Sequence, residues 1–476
     1  MKNAVWLVLI MATLLAHPVA SMALVDPRGI IPQTAPRLTD RSAPCDAAPA
    51  RQLTLADLVD LALCRNPATA VAWASVRGAA ANTGIARAAE LPTVSVSVGP
   101  TLTRTDSFRT QSVVVAPGQT VGLSSNSTDF GSSANLALSY LLFDFGGRAA
   151  RIDAARANQR AALATYADTA QTIALNTVTA YNSLQANRAS VTAADASVRF
   201  ARSSFDTAAA RQLAGVATPA DRLQAETALA QAQLTLQQAE GAARTAAGTL
   251  AVTVGMPPTT VLDLAQVQPL ASADRLSRDV ETLIADAEKL RPDLASSRAG
   301  LDAAQASARA ARSDTRPSVG LNASNGLNYA NSVNDRNSAS VGVSVSIPLF
   351  NGWDRTYRRA AAQAEVDRNI GLVEQTRQQA GLDVFTNATA LDTAIRVLAT
   401  ARVLINSATA SADIAQGRFK AGVGTFTDLL NAQSALANAR QQLVSADFGV
   451  RNAQAQLARS VGEIGAAVDD LRGTVR

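Results

Sequence analysis

The stretch Leu91-Pro92-Thr93-Val94-Ser95-Val96-Ser97-Val98-Gly99 reads as a strand with one apolar and one small polar face. It returns as Arg316-Pro317-Ser318-Val319-Gly320-Leu321-Asn322-Ala323-Ser324, an offset of 225 (317 − 92). In both copies another proline stands 25 residues upstream, in Asn66-Pro67 and Arg291-Pro292. Beyond the strands the landmarks keep an offset of 207 (350 − 143). Phe143-Asp144 matches Phe350-Asn351, Arg148 matches Arg355, Gly215-Val216 matches Gly422-Val423, Asp221 matches Asp428, and Val254-Gly255 matches Val461-Gly462. A register held over more than a hundred residues marks an internal duplication. The drop in offset puts an insertion of 18 residues (225 − 207) in the first copy, between its second proline and Phe143.

Each proline-led strand has a companion. Leu136, Leu138, Tyr140 and Leu142 alternate with small residues in the first copy, as do Val341, Val343, Val345 and Ile347 in the second. Four segments of ~10 residues with an apolar and an uncharged face fit a transmembrane β-barrel; the alternative is a half-buried soluble sheet. At the N-terminus, Lys2 precedes an apolar run from Ala4 to Leu15, and Ser21-Met22-Ala23 has the spacing of a signal-peptidase site. No later segment approaches ~20 apolar residues, so membrane insertion must use strands. Four strands cannot close a barrel, and lipid does not tolerate open edges. Closure must come from other chains, three copies giving twelve strands. The loops, about Arg104–Ser132 and Tyr329–Asn337, are Ser/Asn/Gly-rich and are expected to face outward.

The remainder is helical. Aromatics are only 4%, and the 47% of hydrophobic residues is largely alanine, which favours long, closely packed helices. Arg148 to Leu213 and Arg355 to Ala421 lack proline, enough for helices of about 100 Å. After the turns at Gly215 and Gly422 a second long helix follows. Leu229, Ala232, Leu236, Ala239, Ala243, Ala246 and Leu250 form a heptad seam, repeated at Leu436, Ala439, Leu443, Ala446, Val450, Ala453 and Leu457. The expected organisation is a signal peptide (1–23), a proline-rich leader (24–52), a first helix–hairpin–helix repeat (53–255), a linker (256–277), a second repeat (278–462) and a tail (463–476).

Chemistry is scarce. The sole histidine, His17, lies in the signal segment, which removes Ser-His and Cys-His nucleophiles and histidine metal sites from the mature chain. No catalytic, cofactor or metal site is expected. The net charge of +5 is interspersed along the helices, without the basic–aromatic blocks of a nucleic-acid surface. Cys45 and Cys64 are the only cysteines; they either form a disulfide stapling the leader to the first helix or remain two thiols. A secreted coiled-coil structural protein or adhesin is the rival reading, and hairpins at equivalent repeat positions speak against it.

At this point the chain resembles the TolC family of outer-membrane factors over nearly everything after the leader. The resemblance rests on the duplicated Asn/Arg-Pro…Pro-strand unit and on the turns Leu142-Phe143-Asp144-Phe145-Gly146-Gly147-Arg148 and Pro348-Leu349-Phe350-Asn351-Gly352. It rests also on the Gly-Val-x-Thr-x-x-Asp helix connections. It implies a homotrimer with a barrel in outer-membrane lipid and a helical barrel in the periplasm. Cargo would arrive from an inner-membrane ABC exporter or RND pump through a periplasmic adaptor protein. Leu53-Thr54-Leu55-Ala56-Asp57, Leu63-Cys64-Arg65-Asn66-Pro67 and the Cys45/Cys64 pair resemble the adenylate cyclase–haemolysin secretion branch.

In that family, carboxylates after the second Gly-Val-x-Thr turn ring the periplasmic aperture, and Asp428 fits; the companion acidic position holds Asn431. Asp428 also reads as a helix cap with Thr425, as Asp221 does with Thr218. The family shuts the mouth with a tyrosine and an arginine of the second copy linked to an aspartate of the first. Asp221 matches that aspartate, Phe419 replaces the tyrosine and Gly424 takes the arginine's place, so Arg418 or Lys420 is left as a substitute or as a solvated helix end.

Overall fold

A computed structural model describes residues 26, 28–34, 52–105, 111–123, 127–265, 279–330 and 333–465. The signal segment, most of the leader with Cys45, and the last eleven positions lie outside them. The first copy runs α1 (Leu55–Arg65), α2 (Pro67–Ala88), β1 (Thr93–Thr105), β2 (Gln111–Ala116), β3 (Gln119–Leu123), β4 (Ser127–Phe143), α3 (Gly147–Leu213) and α4 (Pro219–Thr253). The second runs α5 (Val280–Leu290), α6 (Pro292–Ser313), β5 (Ser318–Ala330), β6 (Val333–Ser346), α7 (Asp354–Lys420) and α8 (Phe426–Val461).

The prolines at 67 and 292 explain why a short helix precedes a longer one in each copy. Each lacks an N–H and sits at the first position of the next helix, where none is needed. The residue before each is extended, Asn66 at ψ 126° and Arg291 at ψ 123°. The long helices α3 and α7 are uninterrupted, each of 67 residues. Each folds back through α4 or α8 along the expected seam. In the second copy Leu436, Ala439, Ala446, Val450, Ala453 and Leu457 are all buried. In the first, Leu229, Ala246 and Leu250 are buried. Alanine at the middle positions lets the backbones approach closely.

The core is richest where the short helices pack. Leu58, Leu61 and Ala62 of α1 meet Ile173, Tyr181 and Leu184 of α3, Leu250 of α4 and its C-cap residue Val254. Leu283 and Ala287 of α5 meet Val384 and Leu391 of α7 and Leu457 and Val461 of α8. Each leucine fully buried here contributes about 1.5–3 kcal/mol. Ile464, near the start of the expected tail, is itself buried against Val59 and Val178. Cys64, in the last turn of α1, is disulfide-bonded.

Four strands form one antiparallel sheet in the order β1-β4-β5-β6. The register aligns Val94, Leu138, Ala323 and Val341 across one face and Ser95, Ala137, Ser324 and Ser340 across the other. The apolar row is exposed on the outer strands, Val94 by 64% and Val341 by 78%, and half-buried between them. The small polar face is knitted by Ser324–Ser340 and by the Asn322 amide donating to Ser344. No helix among the described residues is long and apolar enough to cross a membrane.

Two loop expectations are corrected. Tyr329–Asn337 is mostly strand, because β5 runs to Ala330 and β6 starts at Val333. The Asn/Ser composition that suggested a loop does not disturb a ladder made by backbone groups. Likewise Arg104–Ser132 carries the short hairpin β2–β3 and the first residues of β4, so the 18-residue insertion is partly a two-stranded extension.

Candidate functional site: the helical tips

The end of the molecule opposite the sheet is made by the turns joining α3 to α4 and α7 to α8. Gly215 (φ +70°) and Gly422 (φ +79°) adopt the left-handed conformation that closes a helix C-terminus. The N–H of Gly215 donates to the Gln212 carbonyl and that of Val216 to Arg211; Gly422 and Val423 do the same to Phe419 and Arg418. Two residues later Thr218 and Thr425 begin the returning helices, each in a capping box. The Thr218 N–H and hydroxyl both donate to Asp221 Oδ2, at 3.0 and 2.9 Å, and the Asp221 N–H donates to Thr218 Oγ1. The Asp428 N–H donates to Thr425 Oγ1 at 3.1 Å. Hydrogen bonds from Thr425 and the nearby charge of Arg418 hold the Asp428 carboxyl below the ordinary carboxylate range. Thr54 and Asp57 build a third such box at α1.

Asp428 and Asn431 are exposed near the start of α8, at the tip. Phe419 does not. It is only 6% exposed, packed edge-on against Phe426 and grouped with Ala208, Ala225 and Leu429. An apolar tip core thus joins the two copies. Gly424 is not an open slot either. A Cβ there would lie 3.1 Å from both Arg418 Cβ and the Phe419 backbone nitrogen, so this turn presses on the end of α7.

At the tip, Arg211 is a cation that crosses between the copies. Its Nη1 donates to the Phe419 carbonyl at 2.9 Å, and its guanidinium lies 4.8 Å from the Phe419 ring centroid. It thus caps the electronegative C-terminus of α7 and covers an aromatic face. Asp221 has no ion-pair partner among the described residues; its carboxylate serves its own helix. Neither Arg418 nor Lys420 makes the cross-link. The signal that could have found Arg211 is the offset of 207, which makes it the equivalent of Arg418.

Above the tips, the copies meet along α3 and α8 through polar side chains. Gln433 donates to Ser204, Gln441 to Ser190 and Asn182 to Asn452, while Arg459 pairs with Asp168. The arrangement holds no reactive constellation. It offers two stiff coiled-coil hairpins, apolar within and joined to each other by an apolar cluster at the tip and hydrogen bonds above it.

Comparison with known proteins agrees with this architecture. The family model described as outer membrane efflux protein matches residues 58–256 and 283–463. Protein CyaE of Bordetella pertussis is 31% identical over 453 residues, covering 94% of this chain and 92% of that protein. The outer membrane protein VceC of Vibrio cholerae superposes with a TM-score of 0.73 at 21% identity, covering 86% of this chain and 96% of that one. The Campylobacter jejuni CmeC outer membrane channel gives 0.75 at 20% identity, with 86% of each chain covered. Proteins of this family are non-enzymatic channels of tripartite export systems, generally trimeric, with an outer-membrane part and a periplasmic helical part. The chain belongs to the outer membrane efflux protein family, the TolC-type channels.

Proposed function

We propose that the chain is the outer-membrane duct of a type I protein secretion system, working as a homotrimer. An inner-membrane ABC exporter and a periplasmic adaptor would deliver a toxin-like protein to it. The observation that carries this reading is the likeness to CyaE, 31% over 94% of the chain. The Cys45/Cys64 pair and the Leu53–Asp57 motif support the same branch. Three copies of the four-stranded sheet supply the twelve strands that its unpaired outer edges require. The aperture is assigned to the tip, with Asp428 and Asn431 lining it and Gly215, Thr218, Gly422 and Thr425 fixing the turns. Three carboxylates converging there would favour cations.

The competing reading is a drug-efflux duct served by an RND pump, favoured by the match to the family described as outer membrane efflux protein. Deletion of the gene separates them. Loss of a repeat-rich exoprotein from culture supernatant, with unchanged inhibitory concentrations of antibiotics, is the expected result. Unchanged secretion with increased drug sensitivity would replace type I secretion by efflux.

A further inference from the structure

The two copies share one mapping, offset 225 ahead of the hairpins and 207 after them, and their contacts obey it. The β1–β4 pairs Thr93↔Ser139 and Val94↔Leu138 become the β5–β6 pairs Ser318↔Ser346 and Val319↔Val345. The Asn66 amide donating to the Thr253 carbonyl becomes Arg291 donating to the Ser460 carbonyl. The Thr83–Gln159 hydrogen bond becomes an apolar contact within the cluster of Ala308 and Val366. Position is kept while chemistry changes.

A second class of contact runs from the first copy forward to the second: β4 to β5, α3 to α6 and α3 to α8. Shifted by the same offsets, these contacts leave the chain. They start on β6 and α7 and land on the β1, α2 and α4 surfaces of another molecule. We propose that a neighbouring copy of this chain docks on β6 and α7 through this shifted set of contacts, with its ion pair reversed in sign. The inference rests on the homotrimer of the preceding section and adds the residues that join it.

The pair Arg160–Asp302, at 2.8 Å, maps onto Asp367 and the partner subunit's Arg77. Both positions are exposed, and Arg77 makes no ion pair within its own chain among the described residues. Charge is swapped at both ends at once, which preserves attraction. The hydroxyl pair Thr165–Ser296, at 3.0 Å, maps onto Leu372 and the partner subunit's Val71. The Gln441–Ser190 bond maps onto Val397 and the partner subunit's Leu234. These four apolar side chains are 37%, 67%, 51% and 48% exposed in the single chain, in that order. These two polar contacts inside the chain thus predict apolar pairs between chains. In the sheet, Leu138↔Ala323 and Tyr140↔Leu321 map onto Val345 and Ile347 facing Val98 and Val96 of the partner subunit. Backbone groups left open on both sheet edges are then satisfied in one register.

The test uses full-length protein in detergent. Asp367→Arg and Arg77→Asp each place like charges together and are expected to raise the subunit dissociation constant by about fivefold or more. The double variant is expected to return it to the parent value. Separately, Leu372→Cys with Val71→Cys is expected to give inter-chain disulfides up to a linked trimer, because the equivalent hydroxyls inside the chain, Thr165 and Ser296, stand 3.0 Å apart. Neither single cysteine should do so. A double charge variant no better than the singles, or a cysteine pair that fails to link within an intact trimer, overturns this register and leaves the trimer standing. A parent chain that is monomeric at all concentrations overturns the homotrimer itself.

Discussion

The same joint is built twice in this molecule, once neutral and once charged. In the first copy the Asn66 amide donates to the Thr253 carbonyl at 3.1 Å. In the second, Arg291 reaches the equivalent Ser460 carbonyl and also holds Asp293 and Asp383, while only 7% exposed. Around both, a left-handed glycine presses on the end of the short helix. A Cβ on Gly255 would lie 2.7 Å from the Arg65 carbonyl oxygen, and one on Gly462 would lie 2.9 Å from that of Leu290. The geometry of the joint is therefore specified by backbone, and its side chain decides only how tightly it is held and under what conditions.

That separation can be broken experimentally. Arg291→Ala leaves two partly buried carboxylates uncompensated and is expected to cost about 3–5 kcal/mol of local stability. Asn66→Ala, removing the neutral bond to Thr253 and the N-cap bond accepted from the Ala68 N–H, should cost about 1–3 kcal/mol. Hydrogen exchange at the first turns of α6 and α2 would measure both, and equal losses would refute the distinction. Next, Gly255→Ala and Gly462→Ala should each destabilise by about 2–3 kcal/mol, and by similar amounts, because the strain is backbone strain in both.

Acid should separate the joints further. Burial raises the Asp293 carboxyl, but hydrogen bonds and charge from Arg291 outweigh it and hold the group below the ordinary carboxylate range. A depressed folded value means the stabilisation is present above the unfolded value of about 3.9 and is lost as pH falls below it. Exchange at the start of α6 is expected to accelerate below about pH 4, relative to the intrinsic rate, while α2 does not respond. The smallest effect is at the tip. Arg211→Ala removes the bond to Phe419 but leaves the apolar core, and should shift tip opening by about 1 kcal/mol. Single-channel conductance in planar bilayers would rise; no change would show that Arg211 does not constrain the aperture.

Much of this was legible in the residues. The duplication, the strand alternation and the seams of α4 and α8 depend on periodicity, which the chain displays directly. The capping boxes depend on residues three apart. What the pattern could not show were contacts between elements distant in sequence. Arg211 meets Phe419 only because two hairpins lie side by side, and Asn182 meets Asn452 at a polar seam that a search for apolar heptads passes over. Gly424 looked like an absent arginine because its neighbour in space, the end of α7, is fixed by the turn rather than by spacing. Asn334 and Asn337 looked like loop residues because polarity reports solvent, not pairing.

The two 67-residue helices have one more consequence. Between the strands the first copy has absorbed 18 extra residues, whereas α3 and α7 are equal to the residue. One residue gained or lost in a helix turns everything beyond it by about 100° and takes the seam off its neighbour. The pair thus acts as a gauge block: the distance from membrane to tip comes in one size and can be altered only in both copies together. Such a duct must meet its periplasmic partners at a fixed height, and adaptation to a new cargo has to come from the surfaces, not the span.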